Sequence, residues 1–375
     1  MTKFDEVVPA HIRGLGGYAA GKPLKQAEKE SGVKCIKMAS NENPFGPSPR
    51  AVAAMREAAA EVHLYPDNDA TDLRNELAAH NNLAPDQVLV TGGSTQFLDI
   101  IGRTLLAPGM NAITSERSFI VYPIVTRSAG GELIQVSMRG DTFDLDGILS
   151  SVDENTRIVF IANPNNPTGT MLDPGTLDRF MDRVPEYVTV VIDEAYYDFA
   201  QYFSLKRGLE YSHSLDYVRQ GRNVAVLRTF SKTHGLAAVR CGYGFGPAEL
   251  IRYLSKLRTA FSVSSIAEAA ALAALRDEDH IRKSLDNNAA GSAFLTSKIS
   301  EMGFRVVPSW TNFIYIELNE DAAALAKRMQ EEGVIIRPLT VWGAPRAIRV
   351  TVGTPEQNEQ FLTALSKVTE QAVVS

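Results

Sequence analysis

A chain of 375 residues, 45% of them hydrophobic and 22% charged, has an ordinary globular composition and the length for two cores. A net charge of −6 and the lack of any Lys/Arg-rich run argue against a nucleic-acid binder, and no apolar run reaches the length of a membrane span. Two cysteines, Cys35 and Cys241, and six scattered histidines make neither a disulfide framework nor a zinc spacing; with no apolar signal core at the N-terminus, the protein is expected to be cytoplasmic.

Residues 1–44 read as an arm broken by glycines and prolines and ending in NENPFGPSP. Such a stretch builds no core and is expected to lie across the rest of the molecule. SPRAVAAMREAAAEVH and DATDLRNELAAHNN then carry helical periodicity, each opened by a capping-type Ser or Asp. QVLVT predicts a strand, STQFLDIIGRTLL a helix, NAITS a strand, FIVYPIVTRSAG a helix and ELIQVS a strand. RIVFIANP, VTVVID and NVAVLRT are nearly continuous apolar runs, the pattern of parallel strands covered by helices on both faces. Together they predict a three-layer α/β/α large domain with a mostly parallel sheet over residues 45–260. From 261 to 375, long helical stretches such as SSIAEAAALAALRDEDH alternate with the strands FRVVP, NFIYIEL, VIIRP and AIRVTVG, predicting a smaller α+β domain. Cys241 falls in an apolar strand pattern and reads as a small core residue.

In open parallel sheets ligands bind beyond the carboxyl ends of the strands. QVLV leads into TGGSTQ, a glycine turn that opens a helix. Its amides and the hydroxyls of Ser94 and Thr95 suit a phosphate, although such turns more often serve as plain caps. Neither a P-loop nor a G-x-G-x-x-G fingerprint is present. RIVFIA leads into NPNNPTG, a rigid turn rich in amide side chains, with Asn166–Pro167 a candidate cis bond. VTVVI ends at Asp193, a carboxylate that is costly there unless a cation meets it; helix capping is the competing role. Tyr196 falls on the same side as Asp193 if a helical turn follows. NVAVL leads to RTFSK and Lys232. Most lysines are solvated, but one partly buried near another cation, here Arg240, becomes a nucleophile. A phosphate cradle, an amide-rich turn, a carboxylate and a lysine on four strand ends form the set that pyridoxal phosphate requires.

NENPFGPSP, YPD, NPNNPTG, DEAYYDF, RTFSKTHGLAAVRCGYG, VIIRP and IRVTVGT follow one another over almost the whole chain. In this ordered set the sequence resembles the fold-type-I pyridoxal-phosphate aminotransferases, and most nearly their histidinol-phosphate branch. The resemblance implies pyridoxal 5'-phosphate as cofactor, with Lys232 joined to it and serving as acid and base. It implies Asp193 at the ring nitrogen, Asn166 and Tyr196 at the phenolic oxygen, and Phe119 stacked on the ring. Ser94, Thr95, Ser231 and Arg240 would surround the phosphate. Tyr65 would reach the phosphate of a neighbouring subunit, which implies a homodimer. For the substrate it implies Arg349 on the carboxylate, Arg337 as a second anion contact, and Tyr18 and Asn43 from the arm. Thr95 stands where many members are acidic; Thr233-His234 and Ala238 also depart from the common pattern, and His234 is expected to be a packing residue. The implied reaction is ping-pong amino transfer between histidinol phosphate and 2-oxoglutarate, in histidine biosynthesis. Transfer from phenylalanine or tyrosine, with the side chain among Phe119 and Tyr122, is the near alternative. A non-catalytic regulatory protein of the same fold is the alternative of another class, although residues 1–44 lack the helical length and basic charge of a DNA-binding element.

Overall fold

The arm of residues 1–44 holds regular structure. It contains a helix, Leu24–Ser31, that turns Ala27 inward, and a two-residue strand, β1 (Ile36–Lys37). The structure is a computed structural model that describes residues 3–17 and 21–374. The central sheet is built from β2 (Val88–Thr91), β3 (Asn111–Ser115), β4 (Glu132–Val136), β5 (Thr156–Ala162), β6 (Thr189–Asp193), β7 (Val224–Thr229) and β8 (Gly242–Phe245). Their order across the sheet is β2-β8-β7-β6-β5-β3-β4. Only β8 runs antiparallel, to both β2 and β7. β6 and β7 are buried along their whole length, as their unbroken apolar runs require, whereas the edge strand β4 is partly exposed. Cys241, immediately before β8, is fully buried.

Helices cover the sheet. The first long one, Pro49–Ala58, starts where the sequence signals it: Ser48 accepts from the amide of Ala51 at 3.0 Å and Pro49 opens the first turn. Helix Ser265–Leu275 packs against it, and Ala267, Ala270, Ala271 and Ala274 join the same core as the sheet. A boundary at 260 therefore cuts this core. Alanine leaves little side chain to hold two helices apart, so the segment docks on Pro49–Ala58 rather than on the later strands. The next helix, Glu278–Glu301, capped by Asp277, contributes Leu295 and Ile299 to the second core.

The second core lies around an antiparallel sheet of β9 (Arg305–Val307), β10 (Phe313–Glu317), β12 (Arg337–Leu339) and β13 (Ala344–Thr351), in the order β12-β13-β10-β9. Strand β11 (Val334–Ile335) pairs instead with β1, in parallel, so the arm is stitched into this lobe. Met38 belongs to the same core as Leu295, Ile314 and Phe361. Among the described residues no helix is long and apolar enough to cross a membrane.

Candidate active site

The carboxyl ends of β2, β5, β6 and β7 open on one cleft, roofed by the arm and by β12 and β13. Ser94, Thr95, Phe119, Asn166, Asp193, Tyr196, Ser231, Lys232, Arg240, Arg337 and Arg349 all line it. Asn43 and Tyr65 do not, and Tyr18 lies outside the described residues.

Asp193 is buried at the last position of β6. One carboxylate oxygen accepts from the amide of Ala195 at 3.1 Å; the other accepts from Tyr122 Oη at 3.1 Å. Burial pushes its carboxyl up to about 6, while the Tyr122 hydroxyl and the Ala195 amide pull the other way. Tyr122 is itself fully buried, lying flat against Phe160 with 4.7 Å between ring centroids. It therefore cannot receive a substrate side chain, and its place is behind the carboxylate. Phe119 meets it edge-on and faces the cleft.

Lys232 Nζ donates to the carbonyl oxygen of Ser40 at 3.3 Å. Burial first, and then the positive charges of Arg349 and Arg240, pull its ammonium down to about 8, against the opposing pull of Glu42 and Asp193. The amine is thus far easier to free of its proton than a solvated lysine.

At one end of the cleft the backbone is drawn tight around space for an anion. A side chain at Gly93, where φ is +86°, would collide with the Arg240 guanidinium, and one at Gly242 would collide with the Ser94 amide. Arg240 itself adopts a left-handed φ of 60°. Its Nη1 donates to the Ala237 carbonyl at 2.8 Å and lies 3.5 Å from Ser231 Oγ. Ser231 Oγ also accepts from Thr229 Oγ1 at 3.0 Å. A helix N-terminus, hydroxyls and a guanidinium converge here, the donor set that a phosphate dianion fits.

In the middle of the cleft, Tyr196 Oη accepts from Asn41 Nδ2 at 2.7 Å and from Asn166 Nδ2 at 3.3 Å. Asn166–Pro167 is cis, and so is Asn163–Pro164. Arg349 is buried; it donates to Asn166 Oδ1 and, at 2.9 Å, to the carbonyl of Ala39. Arg337 stands directly opposite Arg349 in the β12–β13 register.

Some residues differ from the sequence reading. Asn43 is a tether rather than a substrate contact: its amide donates to the Thr233 carbonyl at 2.7 Å and to Ser284 Oγ at 2.9 Å. Asn41, two residues earlier in the same motif, takes the place in the cleft, held at φ 56°. His234 is buried edge-on to Phe230, in agreement with a packing role. Sequence reasoning also missed Trp342, which lines the cleft, and the buried pair Glu194–Arg228 behind it. Glu194 accepts from Arg228 Nε at 3.0 Å, from Ser212 at 2.6 Å and from Ser214 at 2.7 Å. This ties the chain just after β6 to β7. A charge beside Asp193 was visible in DEAYY; its partner four residues before Lys232 was not, because pairing across strands leaves no local pattern.

A helix-covered, mostly parallel sheet with a lysine, a buried carboxylate and an anion cradle at its strand ends defines a cofactor-dependent group-transfer enzyme. The chain belongs to the aminotransferase class I and II family, whose sequence profile matches residues 33–365. It is 41% identical to a histidinol-phosphate aminotransferase of Pseudomonas fluorescens, over 96% of this chain and 97% of that one. It is 40% identical to the histidinol-phosphate aminotransferase of Moorella thermoacetica, over 95% and 92% of the two chains. The structure of histidinol-phosphate aminotransferase from Sinorhizobium meliloti, solved with pyridoxal 5'-phosphate, superposes with a TM-score of 0.88 at 28% identity, covering 97% of this chain and 98% of that one.

Proposed function

We propose that the protein is a pyridoxal-5'-phosphate-dependent transaminase that moves the amino group of histidinol phosphate to 2-oxoglutarate in two half-reactions. The observation that carries this reading is the placing of Lys232 and buried Asp193 on adjacent strand ends of one cleft that also holds an anion cradle. The cradle of Ser94, Thr95, Ser231 and Arg240 would hold the phosphate, Phe119 the ring face, Asp193 the ring nitrogen, and Asn166 with Tyr196 the phenolic oxygen. The chemistry supplied there by bound pyridoxal phosphate is an aldehyde that takes up the amino group and a ring that draws electrons from the neighbouring carbon.

The chain's residues do the rest. Asp193, buried at the end of β6, would hold the proton at the ring nitrogen. Lys232 Nζ, with its lowered proton affinity, takes the proton from the substrate's reacting carbon and returns it one carbon away. Arg349 and Arg337 bind the substrate's anion, a phosphate in one half-reaction and a carboxylate in the other. Their rigid holding by Asn166, Ala39 and Trp342 turns binding energy into orientation.

The active unit in this reading is a cytoplasmic homodimer. Tyr65 is 83% exposed, stacks on Phe261 at 4.7 Å, and shares its surface with the exposed Val62 and Leu64. A partner covering this patch would bring Tyr65 toward its own cleft. An aromatic donor is the second reading, favoured by Phe119 and Trp342 in the cleft lining. A single-turnover absorbance screen of the loaded enzyme with histidinol phosphate, phenylalanine, tyrosine and glutamate decides between them. Histidinol phosphate is expected to react fastest among the donors other than glutamate; a faster reaction with phenylalanine would reverse the choice.

A further inference from the structure

The indole of Trp342 stands where the two lobes of the cleft meet. It ends the short turn Thr340–Trp342 between the strands that carry Arg337 and Arg349. The guanidinium carbons of Arg337 and Arg349 lie 5.2 and 5.8 Å from its ring centroids. The residue lines the cleft and is only 7% exposed. Its Nε1–H donates to the carbonyl oxygen of Ser118 at 3.0 Å. Ser118 belongs to the other lobe and immediately precedes Phe119. It is held in turn: its hydroxyl donates to Asn165 Oδ1 at 3.0 Å, and Asn165 Nδ2 donates back to the Arg117 carbonyl at 2.9 Å.

We propose that Trp342 is a positioning residue for the substrate's anion, fixing the arginine-bearing strands against the Phe119 wall through its bond to Ser118. This deepens the reading of Arg337 and Arg349 as anion contacts and rests on it. Two guanidinium groups facing each other across one strand pair repel, and a π face beside both offsets that repulsion without neutralising either. An ammonium or carboxylate in the same place would change the charge offered to the ligand. The indole adds a donor that reaches the opposite lobe, so the arginines and the cofactor-side wall share one frame. Other bridges between the lobes include Trp310 N to the Gly169 carbonyl at 2.8 Å, which involves neither arginine, and Arg349 Nη1 to Asn166 Oδ1, which holds one of them directly.

The test uses the enzyme loaded with pyridoxal phosphate. Trp342→Phe keeps a ring and removes the N–H. KM for 2-oxoglutarate and for histidinol phosphate should rise about three- to tenfold, the worth of one hydrogen bond, with kcat within about twofold. Unchanged KM values, or a fall in kcat with KM unmoved, would overturn the proposal. Arg349→Ala, assayed beside it, separates the two ideas. If that variant keeps its KM, the arginine reading itself fails; if its KM rises and that of W342F does not, only the role of Trp342 fails. The chain has two tryptophans, so in a Trp310→Phe enzyme Trp342 is the sole indole. Its emission should change when glutarate, an unreactive dicarboxylate, saturates the cleft. An emission spectrum indifferent to bound glutarate counts against the proposal even if W342F does not fold.

Discussion

The two sides of the cleft are held by different means. On the side proposed for the cofactor, Asp193 and the turn toward Lys232 continue neighbouring strands of one sheet, with Asp193 opposite Leu227 in the β6–β7 register. The hydrogen-bond ladder of a single core sets their spacing. On the side proposed for the substrate, Arg349 comes from another sheet and is held by a carbonyl of the arm and an amide of the large core. Three separate stretches of chain must pack before that guanidinium points correctly. A ladder allows no adjustment, whereas a three-way junction can shift. The cofactor side should therefore govern the rate of chemistry and the substrate side the affinity for anions.

Substitutions can break or sharpen this contrast. Lys232→Ala should act most strongly, lowering turnover about a thousandfold or more, since no other amine lines the described cleft to carry the proton; steady-state amino transfer measures it. Asp193→Ala should follow, with a folded protein whose half-reaction, read in a stopped-flow absorbance experiment, slows several hundredfold, about the effect of losing one partner of a buried ion pair. Arg349→Ala should raise KM for anionic substrates by about ten- to a hundredfold and change kcat less, and lysine should not rescue it, because a point charge cannot replace the fork that reaches both Asn166 and Ala39. A loss carried mainly by kcat would erase the contrast between the two sides. Tyr122→Phe should cost only a few-fold in rate. With that donor gone, the Asp193 carboxyl of the cofactor-free protein rises further above about 6, so the fall in that form's melting temperature with rising pH should extend to higher pH.

The smallest effect concerns stability without cofactor. Lys232 titrates near 8 in the fold against a usual 10.5, so between these values the unfolded chain holds a proton that the folded one has lost. Stability should then rise with pH across that window, and Lys232→Met should flatten the slope, as melting temperatures taken from pH 8 to 10.5 would show. Asp193 acts in the opposite sense. Its carboxyl titrates near 6 against a usual 3.8, so it makes the cofactor-free protein less stable as pH rises from 3.8 to 6.

Much of the cofactor side was legible because strands leave a local signature. An apolar run followed at once by Asp193, by NPNNPTG or by RTFSK says both where the strand ends and what it presents there. The mostly parallel sheet and the gathering of four strand ends follow from that pattern, whereas the insertion of antiparallel β8 between β2 and β7 does not. The substrate side was read through resemblance alone, since nothing local distinguishes Arg349 from a surface arginine. Asn41 and Asn43 sit two residues apart in one motif, and only the left-handed backbone at Asn41 decides which amide enters the cleft. Trp342 and Tyr122 act through Ser118 and Asp193, partners far away in sequence or across an element, so no spacing rule finds them. The core that the segment after 260 joins was hidden for a similar cause. Helix Ser265–Leu275 is so uniformly small and apolar that its periodicity does not say which core it joins.

The pairing of β1 with β11 bears on how the molecule is made. The C-terminal lobe is whole in space but split in sequence: Ile36 and Met38 are translated well before their bonding partners at Gly333, Ile335 and Thr351. The nascent arm must wait, unpaired, while the whole first lobe between them is synthesised. A fragment starting after the first lobe would lack a strand of its own fold, so cutting the gene at that boundary should yield an incomplete lobe, and supplying residues 33–41 as a peptide is the direct way to repair it.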